Sequence, residues 1–234
     1  MNVGAVILSR LDSTRLPGKA LRLVHGRPLL DYVIELCRLI DGVSVIVLAT
    51  SDRTVDDPIA EFAEKANVHC VRGSVENVAG RFLSAMEQFE LDAALRVNGD
   101  SPLNDPKLLS RGVEIIKSGN YDLVTNVPDR TYPFGMSLEV VLRETMRKAY
   151  ASFRDAGCFE HVTKYFYDHP QCFRIRKILS DCPAFAGVQL SVDRIEDLMR
   201  FSWVVEQLNG SPSSCSPEQV VHLMRQCPDF RDAK

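Results

Sequence analysis

The stretch Val3-Gly4-Ala5-Val6-Ile7-Leu8, followed at once by Ser9-Arg10-Leu11-Asp12-Ser13-Thr14-Arg15-Leu16-Pro17-Gly18-Lys19, decides how the chain is read. Its first part is a continuous apolar run, the pattern of a strand covered on both faces in a parallel sheet. Val43 to Thr50 (VSVIVLAT) shows the same pattern. Between the two, Leu29, Leu30, Val33, Ile34, Cys37 and Ile40 recur at helical spacing, and Pro28 stands where a first turn tolerates it. The result is a β-loop-α-β unit.

The alternation continues along the chain. Helices are predicted from Asp57 to Ala66, Val75 to Phe89, Asp105 to Lys117, near Glu144 to Phe153, Phe159 to Tyr167, Arg194 to Leu208 and Pro217 to Cys227. Strands are predicted over Val68 to Val71, Ala93 to Val97, Tyr121 to Thr125, Leu138 to Leu142, Phe173 to Ile178 and Gln189 to Val192. Strands alternating with helices at this pitch give an α/β fold of three layers, α/β/α, around a largely parallel sheet. Ligands of such a fold gather at the carboxyl ends of the strands. The 234 residues are read as one domain, 1–234, with a less regular accessory or dimerisation segment around 121–167. Asn209 to Ser216 is the only linker-like stretch.

Composition narrows the function. With 45% hydrophobic and 25% charged residues the chain can bury a sizeable core. Lys plus Arg total 28 against Asp plus Glu 31, so a net charge of −3 disfavours general nucleic-acid binding. The first apolar run is far shorter than the ~20 residues of a membrane span. No secretory leader is expected there either. Seven scattered cysteines without a C-x-x-C pair fit a reducing cytoplasm better than a disulfide framework or thiolate zinc site.

The loop from Ser9 to Lys19 holds three cations and has the chemistry of a phosphate site: backbone N–H groups, forked Arg donors and a mobile Lys charge. It matches neither the Walker loop nor G-x-G-x-x-G. The same residues also suit a solvated basic loop closed by Pro17-Gly18. Downstream, Gly99-Asp100 sits at a predicted carboxyl strand end, where Gly99 permits close backbone approach to a ligand. Asp193 stands in the same kind of place. Two such carboxylates suit one Mg²⁺, which takes one or two carboxylates and fills its sphere with phosphate and water. Helix capping is the competing role for Asp193, as it is for Asp105. Glu196 and Asp197 suit the helix dipole, and His25, His69, His169 and His222 lack ligand-like spacing.

R-x-x-S-T-R-L-P-G-K after a first strand resembles the cytidylyltransferase family that activates ulosonic and nonulosonic acid sugars, nearest its spore-coat polysaccharide branch. The likeness extends through Gly26-Arg27-Pro28-Leu29-Leu30, Ala49-Thr50-Ser51-Asp52, Arg72-Gly73-Ser74, Arg96 to Leu103, Thr131-Tyr132-Pro133, Glu160-His161-Val162-Thr163 and Val192 to Leu198. It implies a Rossmann-like, GT-A-like nucleotidyltransferase fold with a mostly parallel mixed central sheet. It further implies transfer of CMP from CTP to a sugar acid with release of pyrophosphate, Mg²⁺ as cofactor and a homodimer. Ser9, Arg10, Ser13, Arg15, Lys19, Arg72, Ser74 and Asn98 would bind the nucleotide. Arg10, Lys19 and Asp100 would serve catalysis, Asp100 and Asp193 the metal, and Tyr132, Glu139 and His161 the acceptor. The chain departs from the family pattern at Leu8-Ser9, Asp12, Gly80, Phe134 and Ser137, which suggests another acceptor (a sugar phosphate, alditol phosphate or phosphonate) or a nucleotide-binding homologue without turnover. Asp12 adds a negative charge beside the expected triphosphate that Arg10 or Arg15 would have to offset.

Overall fold

The structure, a computed structural model, describes residues 1–208 and 210–228. Asn209 of the expected linker, and residues 229–234 of the expected domain, lie outside the described residues. The strands are β1 (Val3–Leu8), β2 (Leu23–Val24), β3 (Arg27–Pro28), β4 (Val45–Ser51), β5 (His69–Gly73), β6 (Ala93–Asn98), β7 (Leu123–Thr125), β8 (Glu139–Leu142) and β9 (Ile175–Lys177). The helices are α1 (Leu29–Arg38), α2 (Asp57–Lys65), α3 (Val78–Gln88), α4 (Pro106–Lys117), α5 (Arg143–Ala151), α6 (Ala156–Glu160), α7 (Lys164–Asp168), α8 (Ile195–Gln207) and α9 (Pro217–Gln226).

Seven strands form one sheet in the order β5-β4-β1-β6-β8-β7-β9, with only β8 antiparallel to its neighbours. The continuous apolar runs find their cause in its two faces. Val3, Ala5 and Ile7 of β1, with Leu95 and Val97 of β6, pack under α1, α2 and α4. Val6 of β1 and Val47 and Ala49 of β4 face α3, α5 and α7 on the other side. Because a strand alternates its side chains, a sheet covered twice needs apolar residues at every position. A third apolar cluster joins Leu16 of the first loop to α8, α9 and residues Val188, Leu190 and Val192.

Two expectations about elements are corrected. The predicted strand Gln189 to Val192 makes only an isolated bridge, Phe134 to Gln189. Leu190 N–H donates to Phe134 O at 2.8 Å, but Pro133 on one side has no N–H to continue the ladder. On the other side Gly135 adopts φ +97°, off the extended path a longer ladder needs, and a Cβ there would meet Ser191 N at 2.5 Å. The predicted helix Phe159 to Tyr167 breaks into α6 and α7 at extended His161. The break falls at the β-branched pair Val162-Thr163, burying Val162 and turning the Thr163 hydroxyl to donate to Glu139. A two-residue turn at His25-Gly26, both with positive φ, joins β2 to β3 as a hairpin with no counterpart among the predicted elements. Within segment 121–167, β7 and β8 belong to the central sheet.

Candidate active site

The parallel strands β1, β4, β5 and β6 end on one edge of the sheet, and there the first loop folds over. Gly18 N–H donates to Leu11 O at 2.8 Å, Leu16 N–H to the Ser13 hydroxyl at 3.3 Å, and Gly18 takes φ +71° before a single turn from Lys19 to Leu21. Buried Leu16 anchors the loop in the third cluster. Leu11 N–H donates to Asp56 Oδ1 at 2.7 Å, and Asp56 is buried and also accepts from the Ser51 hydroxyl, which ties the loop to the end of β4.

Lys19 is the centre of the site. Its Nζ donates to Asp100 Oδ2 at 2.6 Å, to Val192 O at 3.0 Å and to Asp193 Oδ1 at 3.2 Å. An ammonium has three donors, and all three are used. Arg15 Nη2 donates to the same Asp193 oxygen at 2.8 Å. The backbone holds this pairing, since Val192 N–H donates to Asp100 O at 2.8 Å. Asp193 does not cap α8: Asp197 accepts the N–H groups of Asp193 and Arg194 at 3.0 and 2.9 Å, leaving the Asp193 carboxylate for the cations. Asp105 does cap its helix, accepting from Lys107 N–H.

These groups line a cleft of ≈ 360 Å³, within the range of small-molecule sites. Ser9, Arg10, Ser13, Arg15, Lys19, Asn98, Asp100, His161 and Asp193 all face it. Gly99 also serves this geometry by making room for the first loop. A Cβ there would meet Ser9 Cβ and Oγ at 2.8 Å and Leu8 O at 3.2 Å, while the Gly99 backbone lines the cleft. Asp12 is offset by Arg10 at 3.2 Å and by Arg53, while Arg15 is committed to Asp193. Partial burial opposes ionisation of Asp12, but the Arg53 hydrogen bond and the Arg10 and Arg53 charges prevail and hold its pKa below the usual carboxylate value.

Four expected residues lie elsewhere. Arg72 pairs with Asp57 at 2.7 Å and donates to Ser51 O and Arg53 O. Ser74 lines a neighbouring hollow with Asn77, Ser84 and Tyr150. Tyr132 packs between two apolar clusters, where burial raises its hydroxyl pKa. Glu139, 2% exposed, accepts from Arg96, Thr163 and, at 2.7 Å, Tyr167. Burial, with Glu139 next, raises the Tyr167 pKa and keeps that phenol a donor. Two arginines given no site role from the sequence also face the cleft: Arg96, which is paired to Glu139, and Arg81 of α3. Arg81 had a detectable signal, since it shares a helical face with Val78, Phe82 and Ala85.

A mostly parallel sheet whose carboxyl edge gathers Lys, Arg and paired aspartates defines the class, a nucleotidyltransferase-like α/β fold. A family model described as cytidylyltransferase matches residues 5–210, and the chain belongs to that family. A spore coat polysaccharide biosynthesis protein of Bacillus subtilis is 27% identical, over 96% of this chain and 94% of its own. A 3-deoxy-manno-octulosonate cytidylyltransferase of Aeromonas salmonicida is 29% identical, over 68% of this chain and 63% of its own. Among solved structures, a cytidylyltransferase from Leptospira borgpetersenii superposes with a TM-score of 0.90 at 26% identity, covering 97% of this chain and 95% of that one. The protein is thus a CTP-using nucleotidyltransferase. Among the described residues, no helix is long and apolar enough to cross a membrane.

Proposed function

We propose that this chain transfers CMP from CTP to a sugar acid of the ulosonate or nonulosonate type, releasing pyrophosphate, in the synthesis of a surface polysaccharide or other glycan. The observation that supports this most is the convergence of Lys19, Arg15, Asp100 and Asp193 at one point of the cleft, beside Arg10 and Asn98. A sugar hydroxyl attacks the α-phosphorus and releases its proton to solvent, the new O–P bond forms as the α–β bridging P–O bond breaks, and pyrophosphate departs. Arg10, Arg15 and Lys19 would hold the triphosphate and neutralise the leaving group, with Ser9, Ser13 and Asn98 lining its path. Positioning and charge stabilisation are the main sources of rate in such transfers.

The donor set fits a magnesium ion. Asp100 and Asp193 offer two hard carboxylates at one place, and among the described residues no group of three or more His, Cys, Asp and Glu assembles as a zinc site would require. Asp100 and Asp193 would hold Mg²⁺ together with phosphate oxygens. Bound there, the ion supplies Lewis-acid polarisation of the phosphate. Lys19 then keeps the two carboxylates from repelling each other until substrate arrives.

The acceptor is the finer part of the proposal. Glu160 at the end of α6 and His161 just after it border the cleft and are the groups in place to meet a sugar. Because Tyr132 and Glu139 are turned inward, an acceptor other than a sugar acid is the second reading. The test is pyrophosphate release from CTP and Mg²⁺ with a panel of sugar acids, sugar phosphates and alditol phosphates. Turnover with a sugar acid, strongly reduced in Lys19→Ala, is the expected result; turnover only with a phosphorylated acceptor establishes the second reading, and none with any acceptor overturns both. The homodimer and a cytoplasmic location belong to the same proposal, and solution mass tests the first.

A further inference from the structure

Arg81 is the charged side chain whose surroundings the fold leaves unexplained. It is 4% exposed on the inward face of α3, among Phe82, Ala85 and Met86. Its Nε and Nη1 are buried and make no hydrogen bond, and no ion pair to it occurs among the described residues. The other deeply set arginines differ, since Arg96 is paired to Glu139 and Arg200 to Asp197. Two acids act on it through their charge, Asp56 and Asp52, but neither forms an ion pair with it, and Asp56 is already committed to Leu11 N–H and the Ser51 hydroxyl. Burial first, then the like charge of Arg10, lowers the Arg81 pKa. The chain nevertheless makes room for the group, because a Cβ on Gly73 would meet Arg81 Cγ at 3.0 Å.

A buried cation without a partner is unfavourable, and an arriving oxyanion removes that cost. Arg81 lines the cleft together with Arg10 and Val78, and it also walls the hollow beside Ser74. Arginine presents a flat fork of donors that matches two phosphate oxygens. We propose that Arg81 binds a phosphate group of the nucleotide, as an internal member of the Arg10, Arg15 and Lys19 set. This rests on the CTP reading above. The assignment to phosphate and not to the acceptor follows from place: Arg81 sits against β5 and lines the cleft with Arg10, Ser13, Arg15 and Lys19 of the first loop.

Titration calorimetry of the wild type, Arg81→Gln and Arg81→Lys with CTP, cytidine and pyrophosphate is the test. Losing a charge-assisted bond should weaken CTP and pyrophosphate by about 10- to 100-fold in Arg81→Gln and leave cytidine unchanged. Arg81→Lys, which keeps the charge without the fork, should fall between. The melting temperature without ligand should hold or rise in Arg81→Gln, because no partner is lost. Unchanged CTP affinity, an equal loss for cytidine, or a lowered melting temperature with CTP affinity retained would each overturn the assignment. If Arg81→Gln does not fold, Arg81→Lys decides the matter by the same comparison of CTP with cytidine. A wild type that binds no CTP overturns the proposed function itself, and the Arg81 assignment with it.

Discussion

On the β5-β4-β1-β6 side of the sheet, charged groups gather at strand ends, where Lys19, Asp100, Asp193 and Arg15 hold one another within a cleft. On the β8-β7-β9 side the chain instead buries a carboxylate inside the sheet, and Glu139 is satisfied by Arg96, Thr163 and Tyr167. The difference is between charges that can change partners and charges that cannot. A strand-end pair reached by water can release its cation to an incoming phosphate at modest cost. A carboxylate locked among buried donors is a structural tie, whose value lies in setting the position of Arg96 beneath the cleft.

That contrast predicts effects of different kind. The largest is expected at Glu139: Glu139→Ala strands Arg96 and should cost about 3–5 kcal/mol in urea unfolding. A variant of unchanged stability but lost turnover would break the comparison by making Glu139 a substrate contact. Next, Lys19→Ala should reduce kcat/KM by about 10²- to 10³-fold, as removal of one charge-stabilising donor does, with the unfolding midpoint little altered. Steady-state kinetics beside a melting curve reads both. Gly99→Ala comes third. Its Cβ would press on Ser9 and Leu8 O, and displacing the first loop should cost about 1–3 kcal/mol of stability while raising the KM for CTP.

The smallest effect concerns the sheet's far edge. Asp122 accepts from Arg174 through its N–H, Nε and Nη2, and that side-chain hydrogen bond, against partial burial, lowers the Asp122 pKa. A lowered native pKa gives stability that is present above the unfolded value and lost as pH falls through the native one. Arg174→Ala should therefore be slightly less stable than the wild type at neutral pH. The gap should close as the pH drops below about 4, the ordinary Asp value. A gap that stays constant down to the acid limit would show that the pair does not stabilise the fold.

Much of the first region could be read along the chain. The run Val3 to Leu8, the cationic loop and Gly99-Asp100 are local patterns, because a strand buried on both faces and a turn beside a ligand each need particular residues in succession. The second region could not be read this way. Leu138 to Leu142 is visibly a strand, yet nothing local says that Glu139 faces inward to meet Thr163, far along the chain. The break between α6 and α7 has the same origin: the helical spacing of Phe159 to Tyr167 is real, but the tie to Glu139 outweighs it. Gln189 to Val192 has the composition of a strand and lacks only a neighbour that can keep pairing with it.

The chain's own order of residues determined where the seven strands of the central sheet lie, that the sheet is covered on both faces, and which loop holds the cations, since these follow from periodicity and residue type within a few positions. Only the tertiary structure decided that Asp197 caps α8 and so frees Asp193 for Lys19, that Gly99 makes way for Ser9, and that Arg81 is left without a partner. The Asp193–Lys19 pairing, the Gly99–Ser9 contact and the surroundings of Arg81 all join groups distant in sequence, and that proximity exists only once the helices and strands have packed.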